Sequence, residues 1–133
     1  MDAPDGLPPL SEAQLEIMNI VWDRGEATVA DVWKALSVHR KVARNTVLTM
    51  LTRLEEKGWL GRDAGEHAHR YRARVPRDAT LLTMISRLVQ TAFGGSAEDL
   101  MVALLHGRTV SKEEASRIRA MIDQAEKRGR RRP

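Results

Sequence analysis

The chain has 133 residues, room for one large domain or two small ones, and its 42% hydrophobic content supports a packed core. It has no cysteine, which excludes a disulfide framework, thiolate metal sites and thiol catalysis and fits a reducing compartment. The formal net charge of +4 is unevenly spread: −5 over residues 1–38, +6 over 39–77, −2 over 78–126 and +5 over 127–133. Such segregation points to a polyanionic partner for the middle segment.

Residues 1–9 contain three prolines and a glycine and read as an unstructured leader. They show no basic stretch followed by an apolar run, so no secretory signal is expected. The longest apolar run, Leu100 to Leu105, is too short to cross a bilayer. A cytoplasmic protein without stable membrane association is therefore expected.

Ser11 and Gln14 form a capping-box pattern that opens a helix running to about Arg24, with Gly25 as the stop. Glu12, Glu16, Asn19 and Asp23 make one narrow polar stripe on it, and apolar residues cover nearly everything else, which predicts a central helix. Thr28 caps a second, short helix over 29–36, buried through Val29, Val32, Trp33 and Leu36. A basic turn, 37–42, leads to a third helix over 43–57, ended by Gly58. The period then changes. Trp59-Leu60 starts a short extended stretch, Gly61 to Gly65 supplies turn residues, and 69–75 alternates Tyr71, Ala73 and Val75 against Arg70, Arg72 and Arg74. Pro76 marks a boundary. Three helices follow, over about 78–93, 96–106 and 111–127, with Gly94-Gly95 and Gly107 between them, and residues 128–133 form a basic tail.

Three helices followed by a β-hairpin, within about 65 residues, are the layout of a winged helix. The fold class is therefore mainly α: a winged helix-turn-helix over 10–75, then a helical module over 76–127. On the third helix Val47, Met50, Leu51 and Leu54 share one side, and Asn45, Thr49 and Thr52 share the other. A row of Asn and Thr suits the major groove, because Asn can bond adenine bidentately and Thr can serve several bases or meet a thymine methyl. The N-terminal part of such a helix reaches the bases, so Asn45, Thr46, Leu48 and Thr49 are the candidate base contacts. Arg40, Lys41, Arg44, Thr52, Arg53, Arg62 and Arg70, with Arg72 beside them, are the candidate phosphate contacts, which fix position and not sequence.

His67 and His69, beside Glu66, would share one side of a regular strand, but two imidazoles and a carboxylate are too few for a metal assignment. Contacts of a wing with DNA or water are the preferred reading. No Ser-His-Asp set, Gly-rich phosphate loop or H-E-x-x-H pattern occurs in the sequence, so no catalytic residue, metal or cofactor is assigned.

Three segments together carry a resemblance: Leu10 to Trp22 (LSEAQLEIMNIVW), Thr46 to Gly58 (TVLTMLTRLEEKG) and His69-Arg70-Tyr71. The chain resembles the penicillinase-repressor (BlaI/MecI) family over about residues 10–127. The resemblance implies a homodimeric transcriptional repressor of palindromic operators in double-stranded DNA. Thr46, Thr49 and Arg53 fall on the family's recognition-helix pattern, and the C-terminal helices become the dimer module. Leu81, Ile85, Leu88, Leu104, Ile118, Met121 and Ile122 are its candidate interface, in keeping with more apolar positions than about 50 residues could bury alone. Many members are inactivated by proteolysis linked to a membrane-bound sensor metalloprotease. Where the best-known resistance repressors carry an Asn-Phe cut site, this chain reads Ala103-Leu104, and the C-terminal cysteines of the copper-responsive branch are missing.

Two other readings compete. A winged helix that senses a small ligand directly often dimerises through helices preceding the winged helix, and here the winged helix starts by Ser11. A protein-interaction adaptor would bind a partner with the last three helices, and RNA or membrane with the basic tail.

Overall fold

Ser11 opens α1 (Glu12–Arg24) by a reciprocal pair of hydrogen bonds: the Gln14 amide donates to Ser11 Oγ at 3.1 Å and the Ser11 amide donates to Gln14 Oε1 at 2.9 Å. Thr28 and Asp31 repeat the arrangement at the start of α2 (Val29–Ser37), at 3.1 and 3.0 Å. Gly25 ends α1 with a φ of 83°, a left-handed conformation that costs glycine little. The computed structural model describes residues 6–65 and 67–131. After α2 come α3 (Arg44–Glu56), β1 (Leu60–Ala64), β2 (His69–Ala73), α4 (Arg77–Ala92), α5 (Ala97–His106) and α6 (Lys112–Arg130).

The chain divides into two compact units, one ending at Ala92 and one beginning at Phe93. In the first, α1 packs against α2, α3 and β2, as its nearly all-round apolar surface requires. Ile17, Met18 and Val21 of α1 meet Val32 and Leu36 of α2, Val47, Leu51 and Leu54 of α3, and Trp59, Leu60, Tyr71 and Val75 of the wing. β1 and β2 pair antiparallel, Leu60 opposite Ala73 through Ala64 opposite His69. Ala27 adds a backbone bridge to Tyr71, with N···O distances of 3.0 and 2.8 Å, so the chain between α1 and α2 borders the hairpin. These elements form a winged helix.

The three tryptophans each tie down a chain boundary, their indole Nε1 donating to a backbone carbonyl at 2.9 Å: Trp22 to Val75 at the exit of the wing, Trp33 to Val42 just before α3, and Trp59 to Pro8. An aromatic ring that is apolar except for one donor suits such a place.

Three local expectations change. Gly61 to Ala64, expected as turn, is strand β1, because pairing with His69 to Arg72 outweighs the weak strand preference of Gly and Asp. The turn residues lie instead between Ala64 and His69, where the Gly65 amide donates to the Ala68 carbonyl at 3.0 Å. Leu7 packs against the core and Pro8 accepts from Trp59, so that end of the leader is anchored; its residues 1–5 lie outside the described residues. Finally, α6 continues to Arg130 and takes up part of the basic tail. Basic side chains in the last turn face the negative end of the helix dipole, and Glu126 pairs with Arg130 one turn on.

In the second unit Ser96 and Ser111 cap α5 and α6, each accepting at 3.0 Å from the amide three residues on. No residue of either helix is buried. Met101, Leu105, Val110, Ala115, Ile118 and Ile122 line an apolar groove. No helix among the described residues is long and apolar enough to cross a membrane.

Candidate nucleic-acid interface

Helix α3 has no side-chain cap at Ala43, and its orientation rests on packing and on Trp33. Val47, Leu51 and Leu54 are fully buried. Asn45, Thr46, Leu48 and Thr49 are exposed around the first two turns, and Leu48 at 43% is large and apolar for an open surface. Thr52 is half-buried one turn on, and Arg53 is exposed. The four candidate base contacts therefore share the outer side of one helix end.

Two of the hydroxyls on this helix already have partners. Thr49 Oγ1 donates to the Asn45 carbonyl and Thr52 Oγ1 to the Leu48 carbonyl, both at 2.9 Å. With the hydroxyl hydrogen held by the helix, each threonine presents its methyl group and oxygen lone pairs outward. Asn45 keeps a side-chain amide free to donate and accept among the described residues.

The basic candidates fall into two groups. Arg40 pairs with Glu16 at 3.0 Å, Arg62 with Glu55 at 3.2 Å and Arg70 with Glu26 at 3.2 Å. Arg72 joins the same Glu26 at 2.9 Å and also Asp63 at 3.3 Å. All are surface pairs, each worth about 0–1 kcal/mol, so a phosphate can replace the carboxylate at little cost. The second group has no ionic partner among the described residues: Lys41 before α3, Arg44 at its first residue and Arg53 on its outer side. The Arg44 guanidinium sits 5.7 Å from the Trp33 ring centroid, which steadies it without neutralising it.

The carboxylates Glu16, Glu26 and Glu55 are the part of this face that sequence reading missed. Each is paired with arginine across a tertiary contact, and only for Glu16 and Glu26 did the charge balance of the first 38 residues give a hint. The Thr28 amide, with Arg24 at 3.4 Å and Lys34 contributing, holds the Asp31 carboxyl below the usual carboxylate range.

His67 lies in the turn and His69 opens β2, so strand alternation does not align the two imidazoles; Glu66 lies outside the described residues. Among the described residues no group of three metal-ligating side chains comes together.

The seven candidate interface residues are distributed over both units. Ile85 and Leu88 on α4, Leu104 on α5, and Met121 and Ile122 on α6 are exposed, Met121 by 64%. Leu81 and Ile118 are half-buried.

Residues 10–124 match the family model described as penicillinase repressor. That span begins at the first core residue of the winged helix and ends inside α6. The chain belongs to the penicillinase-repressor family. The transcriptional regulator BlaI of Mycobacterium tuberculosis is 31% identical over 122 residues, covering 90% of this chain and 87% of that protein. A penicillinase repressor of Staphylococcus aureus is 20% identical over 118 residues, covering 89% and 94%. Among solved structures, the DNA-binding domain of the repressor BlaI is 28% identical, covers 59% of this chain and 93% of that one, and superposes with a TM-score of 0.50. Family membership thus agrees with the winged helix built above from packing and hydrogen bonds.

Proposed function

We propose that this member of the penicillinase-repressor family represses transcription as a cytoplasmic homodimer on a dyad-symmetric operator. DNA-binding repression is the function of the family. The feature of this chain that supports it most strongly is the outer face of α3, where Asn45, Thr46, Leu48 and Thr49 are exposed and Lys41, Arg44 and Arg53 stand without carboxylate partners among the described residues. Asn45 and Thr49 read base edges in the major groove, Thr46 and Leu48 flank them, and the unpaired cations hold the phosphates on either side. Arg40, Arg62 and Arg70 exchange their carboxylates for phosphates on binding, with Thr52 as a neutral neighbour.

The exposed apolar residues of α4, α5 and α6 supply the dimer contact, which would bury side chains such as Met121 and Ile122 that one chain leaves open. Two α3 helices then enter major grooves about one helical turn apart, or a small multiple of it.

A membrane-bound sensor metalloprotease is the family's route to release. Ala103 and Leu104 are exposed inside α5, so a cut there requires that helix to open first.

A mobility-shift titration against DNA upstream of the chain's own operon tests the reading. A discrete dimer complex that survives excess random DNA is expected. Binding that random DNA removes completely would overturn it.

A further inference from the structure

The junction between the wing and α4 is held by more polar contacts than a passive connection needs. Arg77 is the first residue of α4. Its Nη2 donates to Asp23 Oδ1 at 2.6 Å, to the Asn19 carbonyl at 3.1 Å and to Asn19 Oδ1 at 3.3 Å. The guanidinium also lies 5.6 Å from the Trp22 ring centroid. Its Nε is buried without a partner among the described residues, so the side chain holds this position despite one unsatisfied donor. Trp22 in turn donates to the Val75 carbonyl. One turn into α4, Thr80 is fully buried, with Oγ1 donating to the Pro76 carbonyl at 2.8 Å, and Met84 is 8% exposed. All the acceptors and the ring that hold Arg77 belong to α1, the central helix of the winged helix.

We propose that Arg77 is a positioning residue for operator recognition: by clamping the start of α4 to Asn19, Trp22 and Asp23, it fixes the angle between α4 and the recognition helix. This rests on the dimeric reading above. The exposed face of α4 carries Leu82, Ile85 and Leu88, residues suited to the contact between copies. If α4 is fixed relative to α3 within each copy, joining two copies dictates how far apart their recognition helices lie. Arg77 touches no DNA candidate. It therefore acts on the spacing between half-sites and not on the reading of either half. Loss of the clamp lets α4 swing, which lowers the effective concentration of the second half at the correct spacing and raises it at wrong ones.

The test measures binding of the full-length wild type, Arg77→Gln, Arg77→Lys and Asp23→Asn. The probes are a single half-site and full operators whose spacer is the natural length or one base pair longer or shorter. Arg77→Gln should leave half-site affinity within about two-fold, weaken the natural operator on the order of ten-fold, and flatten the preference among spacers. Arg77→Lys, which keeps the charge, should recover part of that preference. Asp23→Asn leaves α4 itself unaltered and should flatten it as well, with the folded state verified by its thermal transition. A spacer profile of unchanged shape in Arg77→Gln and Asp23→Asn would overturn the proposal, as would an equal loss on half-site and full site. A wild type with no spacer preference at all would remove the dimeric-operator reading itself, and this inference with it.

Discussion

The indole Nε1 of Trp33 donates to the Val42 carbonyl at 2.9 Å, tying α2 to the residue before the N-cap of α3. The same ring lies under the guanidinium of Arg44, at 5.7 Å. One side chain therefore sets both where the recognition helix begins and where its first cation sits. Trp33→Phe keeps most of the ring's packing and loses the donor. The expected cost is about 1 kcal/mol of stability, read as a lower urea midpoint with an unchanged slope. Operator affinity should fall further than affinity for random DNA.

Glu26 faces two wing arginines, Arg70 at 3.2 Å and Arg72 at 2.9 Å. If Arg70 and Arg72 are phosphate contacts, as proposed, this carboxylate competes with phosphate for both. Glu26→Gln should therefore tighten binding to any DNA at low salt, by a few-fold, with little change in sequence preference. A salt titration checks this, and unaltered affinity for random DNA would show that the wing arginines do not reach phosphates.

The two kinds of contact on α3 should separate by mutation. Asn45→Ala or Thr49→Ala should cost about 1–3 kcal/mol on the operator and relax preference at particular base pairs. Lys41→Ala or Arg53→Ala should weaken operator and random DNA alike and reduce the salt slope by about one for each phosphate left without its cation. Arg40→Ala should act in the same sense but less strongly than Lys41→Ala, because Arg40 leaves Glu16 to bind.

Much of the winged helix was legible because its signals are local. Ser11 with Gln14 and Thr28 with Asp31 lie three residues apart, and both pairs form capping boxes. The buried apolar positions of α1 (Ile17, Met18 and Val21) and of α3 (Val47, Leu51 and Leu54) recur at the helix period. What was not legible depends on distant partners. Gly61 to Ala64 carries turn chemistry, and only the strand at His69–Ala73 makes it β1. Glu16 and Arg40 are 24 residues apart, Glu26 and Arg70 are 44, and Asp23 and Arg77 are 54; no periodicity links such pairs. Of the face itself, residue types and helix geometry supplied only candidates, the α3 positions and the cations around them. They could not tell which cations carry a carboxylate partner and which stand alone.

Asp31 gives a pH dependence of known sign. Its carboxylate accepts from the Thr28 amide, and its pKa lies below the usual range. Its contribution to stability is therefore fully present above the ordinary carboxylate pKa of about 4, and is lost as the pH falls through the lowered value. Asp31→Asn should be less stable than the wild type at neutral pH, and the gap should narrow under acid. A stability series from pH 7 to pH 2 measures it. Thr28→Ala, which removes the forward bond of the same box, should cost about 1 kcal/mol.

The most direct test of the central claim is a hydroxyl-radical footprint of the full chain on its operator, with interference by 7-deazaadenine, which removes the major-groove N7 acceptor of adenine. The account predicts two protected patches related by a dyad, with half-site centres about one helical turn apart or a small multiple of it. Interference should fall in the major groove within each half, and Asn45→Ala should abolish it there while keeping the backbone protection. Uniform protection without two-fold symmetry, or major-groove interference that Asn45→Ala and Thr49→Ala leave unchanged, would contradict it.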